Sequence, residues 1–142
     1  MADALQVSIP ARLSEVRELS AMVEAFGDAN GLPDPKVFVI NLALDELITN
    51  IVMHGLEDAG AVRIDLTLRV ERDTLFLVME DNGNPFDPTR DAEADVSSQL
   101  EERPVGGLGL HLVKSFADRI AYDFVDGKNR LTVEHDLARV SA

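Results

Sequence analysis

Three stretches of the chain hold residues whose types and spacing could do chemistry. In NLALDELITNIVMHG, Glu46, Asn50 and His54 repeat every four positions, so on a helix they form one polar stripe. A surface stripe would ordinarily mix Lys, Arg and Glu. A carboxylate, an amide and an imidazole in a row read either as a boundary helix with a wet face or as the wall of a site. The second stretch is Asp81-Asn82-Gly83-Asn84-Pro85. It is first a turn signal. It also allows Asp81 to leave a strand end with its carboxylate in a cleft, where it could accept a hydrogen bond from an amino group. Gly83, with no Cβ, would let backbone or ligand approach closely. The third is Gly106-Gly107-Leu108-Gly109-Leu110, just ahead of a helical pattern. Free N–H groups at a helix start bind phosphate well, and glycines permit the approach. The run is not a P-loop, since no Gly-Lys-Ser/Thr follows. It is not a dinucleotide fingerprint either, because Leu112 fills the third glycine position and no parallel βαβ unit surrounds it.

The elements that must position these residues can be read in chain order. LQVSI alternates as a short edge strand that Pro10 stops. From Arg12 to about Ala29, Leu13, Val16, Leu19, Val23 and Phe26 fall at helical spacing, and Gly27, Asn30 and Gly31 supply its end. Asp34 is an N-cap with Pro35 at the first helical position. It opens a long helix from about Pro35 to Met53 or His54, with Gly55 placed to end it. In that helix Leu44, Leu47, Ile48, Ile51 and Val52 can face a core. Val62 to Val70 alternates apolar with polar residues, Glu71-Arg72-Asp73 turns the chain, and Thr74 to Glu80 runs back. Residues 81–105 form a long loop with one or two helical turns at 94–102. A helix follows the glycine run, with Leu110, Val113, Phe116, Ala117 and Ile120 on its apolar face. Ala121 to Val125 and Arg130 to Leu137 make a second hairpin around Asp126-Gly127-Lys128-Asn129. Grouped rather than alternating elements predict an α+β fold: a two-layer sandwich with a mixed, mainly antiparallel sheet and helices on one face. One domain over 1–142 is expected.

Composition narrows the function classes. Against 13 Lys and Arg stand 26 Asp and Glu, for a net charge of −13. Such acidity repels phosphates, and the basic residues are scattered, so no direct nucleic-acid contact is expected. Any phosphate must then be held by backbone N–H groups, a helix N-terminus or a metal ion. The absence of cysteine removes disulfides, thiolate catalysis and cysteine-ligated zinc. No secretory signal or membrane span is legible, which predicts a cytoplasmic protein without membrane attachment.

In order and spacing, Glu46-x-x-x-Asn50, then Asp81-x-Gly83-x-Pro85-Phe86-Asp87-Pro88, then Gly106-Gly107-Leu108-Gly109-Leu110 resemble the N, G1 and G2 boxes of the GHKL (Bergerat-type) ATP-binding fold. The short form with Glu-Leu-x-x-Asn and Gly-Gly-Leu-Gly-Leu is similar to bacterial anti-sigma-factor serine/threonine kinases. The resemblance implies ATP and Mg²⁺ as cofactors, and it implies roles. Asn50 would coordinate Mg²⁺ through its amide oxygen. Glu46, one turn earlier, would be the general base. Asp81 would accept from the adenine amino group, with Gly83 giving room. Gly106, Gly107, Leu108, Gly109 and Leu110 would meet the phosphates. Phe86 to Val105 would be the lid, with Phe86 at the nucleotide, Arg103 in reach of a phosphate, and Thr132 near the adenine. His54 is expected to be a helix-end residue.

The activity so implied is ATP-dependent phosphorylation of a Ser or Thr on a STAS-type anti-sigma-factor antagonist, with a sigma factor as the other partner and a homodimer as the assembly. Two other readings stay open: a nucleotide-binding module that sequesters a regulator without phosphotransfer, and the ATP-binding half of a histidine-kinase-like system. The last lacks a dimerisation helix pair with a phospho-acceptor His, and Asn41 only partly matches its N box.

Overall fold

The computed structural model describes residues 4–54, 62–89 and 107–138. Within them the order is β1 (Leu5–Pro10), α1 (Val16–Ala29), α2 (Asp34–His54), β2 (Arg63–Glu71), β3 (Thr74–Asp81), α3 (Gly107–Phe116), β4 (Arg119–Val125) and β5 (Lys128–Asp136). A 3-10 turn at Leu13–Glu15 precedes α1. The element order is the one the sequence predicts. Gly55 and the helical turns expected at 94–102 lie outside the described residues.

The strands form one sheet in the order β1-β2-β3-β5-β4, and every neighbouring pair is antiparallel. β1 holds the edge that its alternation predicts. Because side chains alternate along a strand and directly paired residues share a face, the register sorts the sheet into two surfaces. Ile64, Leu66 and Leu68 on β2 pair with Asp81, Met79 and Leu77 on β3, and these in turn with Asn129, Leu131 and Val133 on β5. All nine are buried. The opposite surface carries Asp65, Arg69, Glu80, Arg130 and Glu134, with Arg130 paired to Glu80 at 2.7 Å.

The buried face meets Leu19, Val23 and Phe26 of α1, Ile40, Leu44, Leu47 and Ile48 of α2, and Val113 of α3 in one continuous core. Each helix therefore presents its apolar stripe to the same side of the sheet. This is a two-layer α+β sandwich with the helices on one face.

Ile120, expected on the apolar face of the last helix, lies on β4 instead, because α3 ends at Phe116. Three further local features depart from the sequence reading. Gly27, expected at the end of α1, lies inside it, and Gly31 takes the left-handed conformation beyond the end, with φ +67°. A Cβ on Gly27 would come 2.5 Å from Val37 Cγ2 on α2, so a glycine is needed where the two helices pass. Gly27→Ala is expected to destabilise the fold by about 1–3 kcal/mol through overpacking, despite alanine's better helix propensity. A melting temperature at or above wild type would show that the helices can separate at no cost.

The second departure is the last turn. Only Asp126 and Gly127 form it, with φ of 54° and 77°, and Lys128 already pairs with Val125. This two-residue loop fits the right-handed twist of its strands. Asn129 is therefore a strand residue, not part of the turn.

The third is His135, which the sequence places simply in a strand and which is buried. Its ring stacks on Phe116 with centroids 3.8 Å apart. Nε2 lies 2.5 Å from Lys36 Nζ and Nδ1 2.7 Å from the Phe116 carbonyl. An ammonium can only donate, so Nε2 accepts and Nδ1–H donates to the carbonyl. The C-terminal end of α3 is thus fastened to β5, and the start of α2 joins the same anchor.

Candidate functional site

The helical period of α2 turns Leu47 and Ile51 inward and leaves Glu46 and Asn50 at its border, half-buried. Asn50, Leu47 and Ile51 form one wall of a cleft whose floor is Met79 and Leu131 of the sheet. Asp81 and Asn129 close its end, and Asn84, Phe86, Pro88 and Tyr122 make the rim. The cleft is shallow and open to solvent, and with its open mouth included it holds ≈ 420 Å³. Its lining is mostly apolar with a few converging polar groups, as a flat heterocycle would need.

Glu46 reaches this cleft through Asn50. The Asn50 amide Nδ2 donates to the Glu46 backbone carbonyl at 3.1 Å and to its Oε2 at 3.4 Å. That use of Nδ2 leaves Oδ1 as an acceptor. Burial pushes the Glu46 carboxyl up to about 7, and the neighbouring Asp45 charge adds to this, against the Asn50 hydrogen bond. A carboxylate that ionises near neutrality can hold or release a proton during a reaction.

Asp81 is the last residue of β3 and is buried. Its Oδ1 accepts from Gly83 N–H at 2.9 Å and from Asn129 Nδ2 at 3.0 Å. Burial raises its ionisation above the usual carboxylate range, while these two bonds hold it down. The Gly83 bond is an Asx turn, so the turn reading and the site reading of this stretch describe the same geometry.

The first turn of α3 contains Gly107, Leu108, Gly109 and Leu110. The first four N–H groups of a helix have no intrahelical acceptor, so an anion can take them. α3 also lies near the end of the rim segment, since Lys114 Nζ reaches the Thr89 carbonyl at 3.4 Å.

Of the residues singled out in the sequence, the cleft brings together Asn50, Asp81 and Phe86, with Glu46 and Gly83 bonded to two of them. Arg103 and Gly106 lie outside the described residues, and His54 is the last residue of α2. Thr132 is not in the cleft. It pairs with Val78 and Ala121 and follows Leu131 by one residue, so alternation sends it to the outer surface. The cleft takes Leu131 and Asn129 from that strand instead. Sequence reasoning missed Asn129 and Tyr122. The parity of β5 carried a signal for the first, since Asn129 is in phase with Leu131 and Val133.

Among the described residues no group of three or more His, Cys, Asp or Glu converges on a point that could hold a metal ion. No described helix is long and apolar enough to cross a membrane.

Comparison with known proteins gives this arrangement its relatives. The model of the histidine kinase-like ATPase domain matches residues 9–134. A serine/threonine-protein kinase of Bordetella bronchiseptica, BtrW, is 35% identical over 96 residues, covering 68% of each chain. The serine-protein kinase RsbW of Bacillus cereus is 27% identical over 136 residues, covering 92% of this chain and 84% of the relative. Two solved structures share the fold. The RsbU and RsbW domains of a Mycobacterium tuberculosis protein superpose with a TM-score of 0.65 at 16% identity over 98% of this chain, which spans 34% of that one. The SiaB–SiaC complex of Pseudomonas aeruginosa gives a TM-score of 0.66 at 14% identity, covering 92% of this chain and 88% of the other. The chain belongs to the histidine kinase-like ATPase domain family, among the relatives of the bacterial serine/threonine-protein kinases.

Proposed function

We propose that the protein is an ATP-dependent serine/threonine kinase of the anti-sigma-factor type, which phosphorylates a hydroxyl on a STAS-type antagonist. The observation that carries this reading is Glu46, a carboxylate pushed up to about 7 and held by Asn50 at the cleft wall. A protein that only stored nucleotide would have no use for a base there.

In the reaction the partner's hydroxyl oxygen attacks the γ-phosphorus, the bond to the bridging oxygen of ADP breaks, and the hydroxyl proton passes to Glu46. Adenine would enter the apolar end of the cleft, its amino group on Asp81 and its ring beside Met79, Leu131 and Phe86. The phosphates would lie toward the start of α3, where Gly107 to Leu110 offer N–H groups, and Gly106 and Arg103 would be further contacts. Mg²⁺, when bound, would supply the positive charge that offsets the phosphates. Asn50 fits it: Nδ2 is engaged by Glu46, and Oδ1 is a hard oxygen ligand of the kind Mg²⁺ takes, with water and phosphate as the others.

Glu46 and Asp81 are acidic and so is ATP. Nucleotide affinity is accordingly expected to fall at least about tenfold when excess chelator removes Mg²⁺. Equal affinity with and without the ion would remove the role given to Asn50.

On the partner side, a sigma factor and a second copy of the chain complete the proposal, which places the protein in the cytoplasm. The likeness to a two-protein complex, SiaB–SiaC, supports a protein partner. The direct test is transfer of labelled γ-phosphate to a purified STAS-domain protein. ATP binding without transfer to any such protein would make the chain a sequestering module instead.

A further inference from the structure

Among the described residues, Asn129 makes more hydrogen bonds than any other side chain at the cleft, and each of them joins β5 to a neighbouring piece of the site. Its Oδ1 accepts from the Phe86 backbone N–H at 3.0 Å and from the Tyr122 hydroxyl. Its Nδ2 donates to Asp81 Oδ1 at 3.0 Å and to the Asn84 carbonyl at 2.9 Å. An amide has two donor hydrogens and two acceptor lone pairs, and here all four are used. The orientation is also fixed by the chemistry of the partners. Turning the amide over would set Nδ2 against the Phe86 N–H, and Oδ1 against a carboxylate and a carbonyl. Burial makes such mismatches costly.

No other common side chain meets these demands. Aspartate would set a second carboxylate against Asp81. Serine has one donor, and glutamine is one methylene longer. Tyr122 completes the arrangement from β4, where it stands diagonally across from Asn129 on the same face. Burial holds the Tyr122 hydroxyl above its ordinary ionisation range, so it stays a donor.

The consequence falls on Asp81. Gly83 and Asn129 both bond its Oδ1, so that oxygen is spent and the carboxylate plane is set. Oδ2 is left as the single acceptor for a ligand. One acceptor in one direction reads one donor.

We infer that Asn129, oriented by Tyr122, is the positioning residue that makes the cleft selective for a purine with an exocyclic amino group, because it aims Asp81. This rests on the proposal that adenine binds at Asp81. It adds the residues that set the selectivity, which neither the motif boxes nor the relatives' names assign.

The experiment measures the affinity of the full-length protein for ATP and for purine riboside triphosphate, which lacks the 6-amino group, with Mg²⁺ present. Wild type should prefer ATP. Asn129→Ala should cut that preference about tenfold, the loss expected for a buried hydrogen bond to a charged group. Tyr122→Phe, which keeps the ring and removes only the hydroxyl, should cut it about threefold. Melting curves identify which variants are folded, and Tyr122→Phe carries the test if Asn129→Ala is not. If either folded variant binds both nucleotides more weakly but keeps the wild-type ratio, Asn129 merely supports the fold and the inference is overturned. A wild type with no preference is a different failure: the adenine reading of Asp81 falls, and the inference with it.

Discussion

Glu46→Gln is expected to lower phosphate transfer by about 10²–10⁴-fold, the usual contribution of a positioned general base. The amide keeps the size and the contact with Asn50 but cannot take the proton of the attacking hydroxyl. ATP affinity should change little, since in the proposed reaction Glu46 would meet the attacking hydroxyl rather than the base or the phosphates. Wild-type transfer should rise with pH and level off above about 7, where Glu46 becomes ionised. The residual activity of the variant should lack that rise. Transfer at the wild-type rate would remove Glu46 from the mechanism.

The same substitution has a stability signature of opposite sign. In the fold the Glu46 carboxyl keeps its proton up to about 7, against 4.5 ordinarily. A folded-state value above the unfolded one means that the group's stabilising contribution is lost as pH rises through that window. Above it the wild type carries a desolvated charge that glutamine does not. Glu46→Gln should therefore melt higher than wild type at pH 8 by roughly 3 °C, a figure discounted because the side chain is only half-buried. The gap should close as the pH falls toward 4.5. Activity and stability would then pull this position in opposite directions, as in many catalytic sites.

Asp81→Asn is the second large effect: ATP affinity should fall about 100-fold. Oδ1 must stay where Gly83 N–H and Asn129 Nδ2 both donate to it. An asparagine placed there keeps its amide oxygen on those donors and so turns its NH₂ into the cleft. A donor then faces the adenine amino group, another donor. A 6-oxo purine nucleotide should lose much less, because its oxygen can accept from that NH₂. Isothermal calorimetry with ATP and ITP reads both changes. Equal losses for the two would mean that the base does not lie against Asp81.

Much of this could be read before any coordinates. The helical period around Ile48 and the alternation of Val62 to Val70 are long signals, and burial enforces them: a slip of one residue would turn Ile64 and Leu66 to water. Glu46 and Asn50 were legible because four-residue spacing on one helix is local geometry. The long-range partners were harder. Asn129 was hidden by its neighbours, since Asp126-Gly127-Lys128-Asn129 is all turn-forming. Only pairing of Lys128 with Val125 shows where the strand begins. Thr132 lies off the cleft for a simpler reason. In Leu131-Thr132-Val133 the two apolar residues claim the inner face, so parity alone sends the threonine outward. His135 shares the inner parity, yet its partners Lys36 and Phe116 come from distant parts of the chain, and no spacing rule joins them.

β5 carries two of these polar anchors, Asn129 beside Asp81 in the cleft and His135 behind α3. They are six residues apart and so share a face. One residue gained or lost between them would send one anchor to the outer surface, whichever half of the strand kept its register. Homologous chains should therefore differ in length at the Asp126–Gly127 turn or after Asp136, while the interval from 129 to 135 stays free of insertions and deletions.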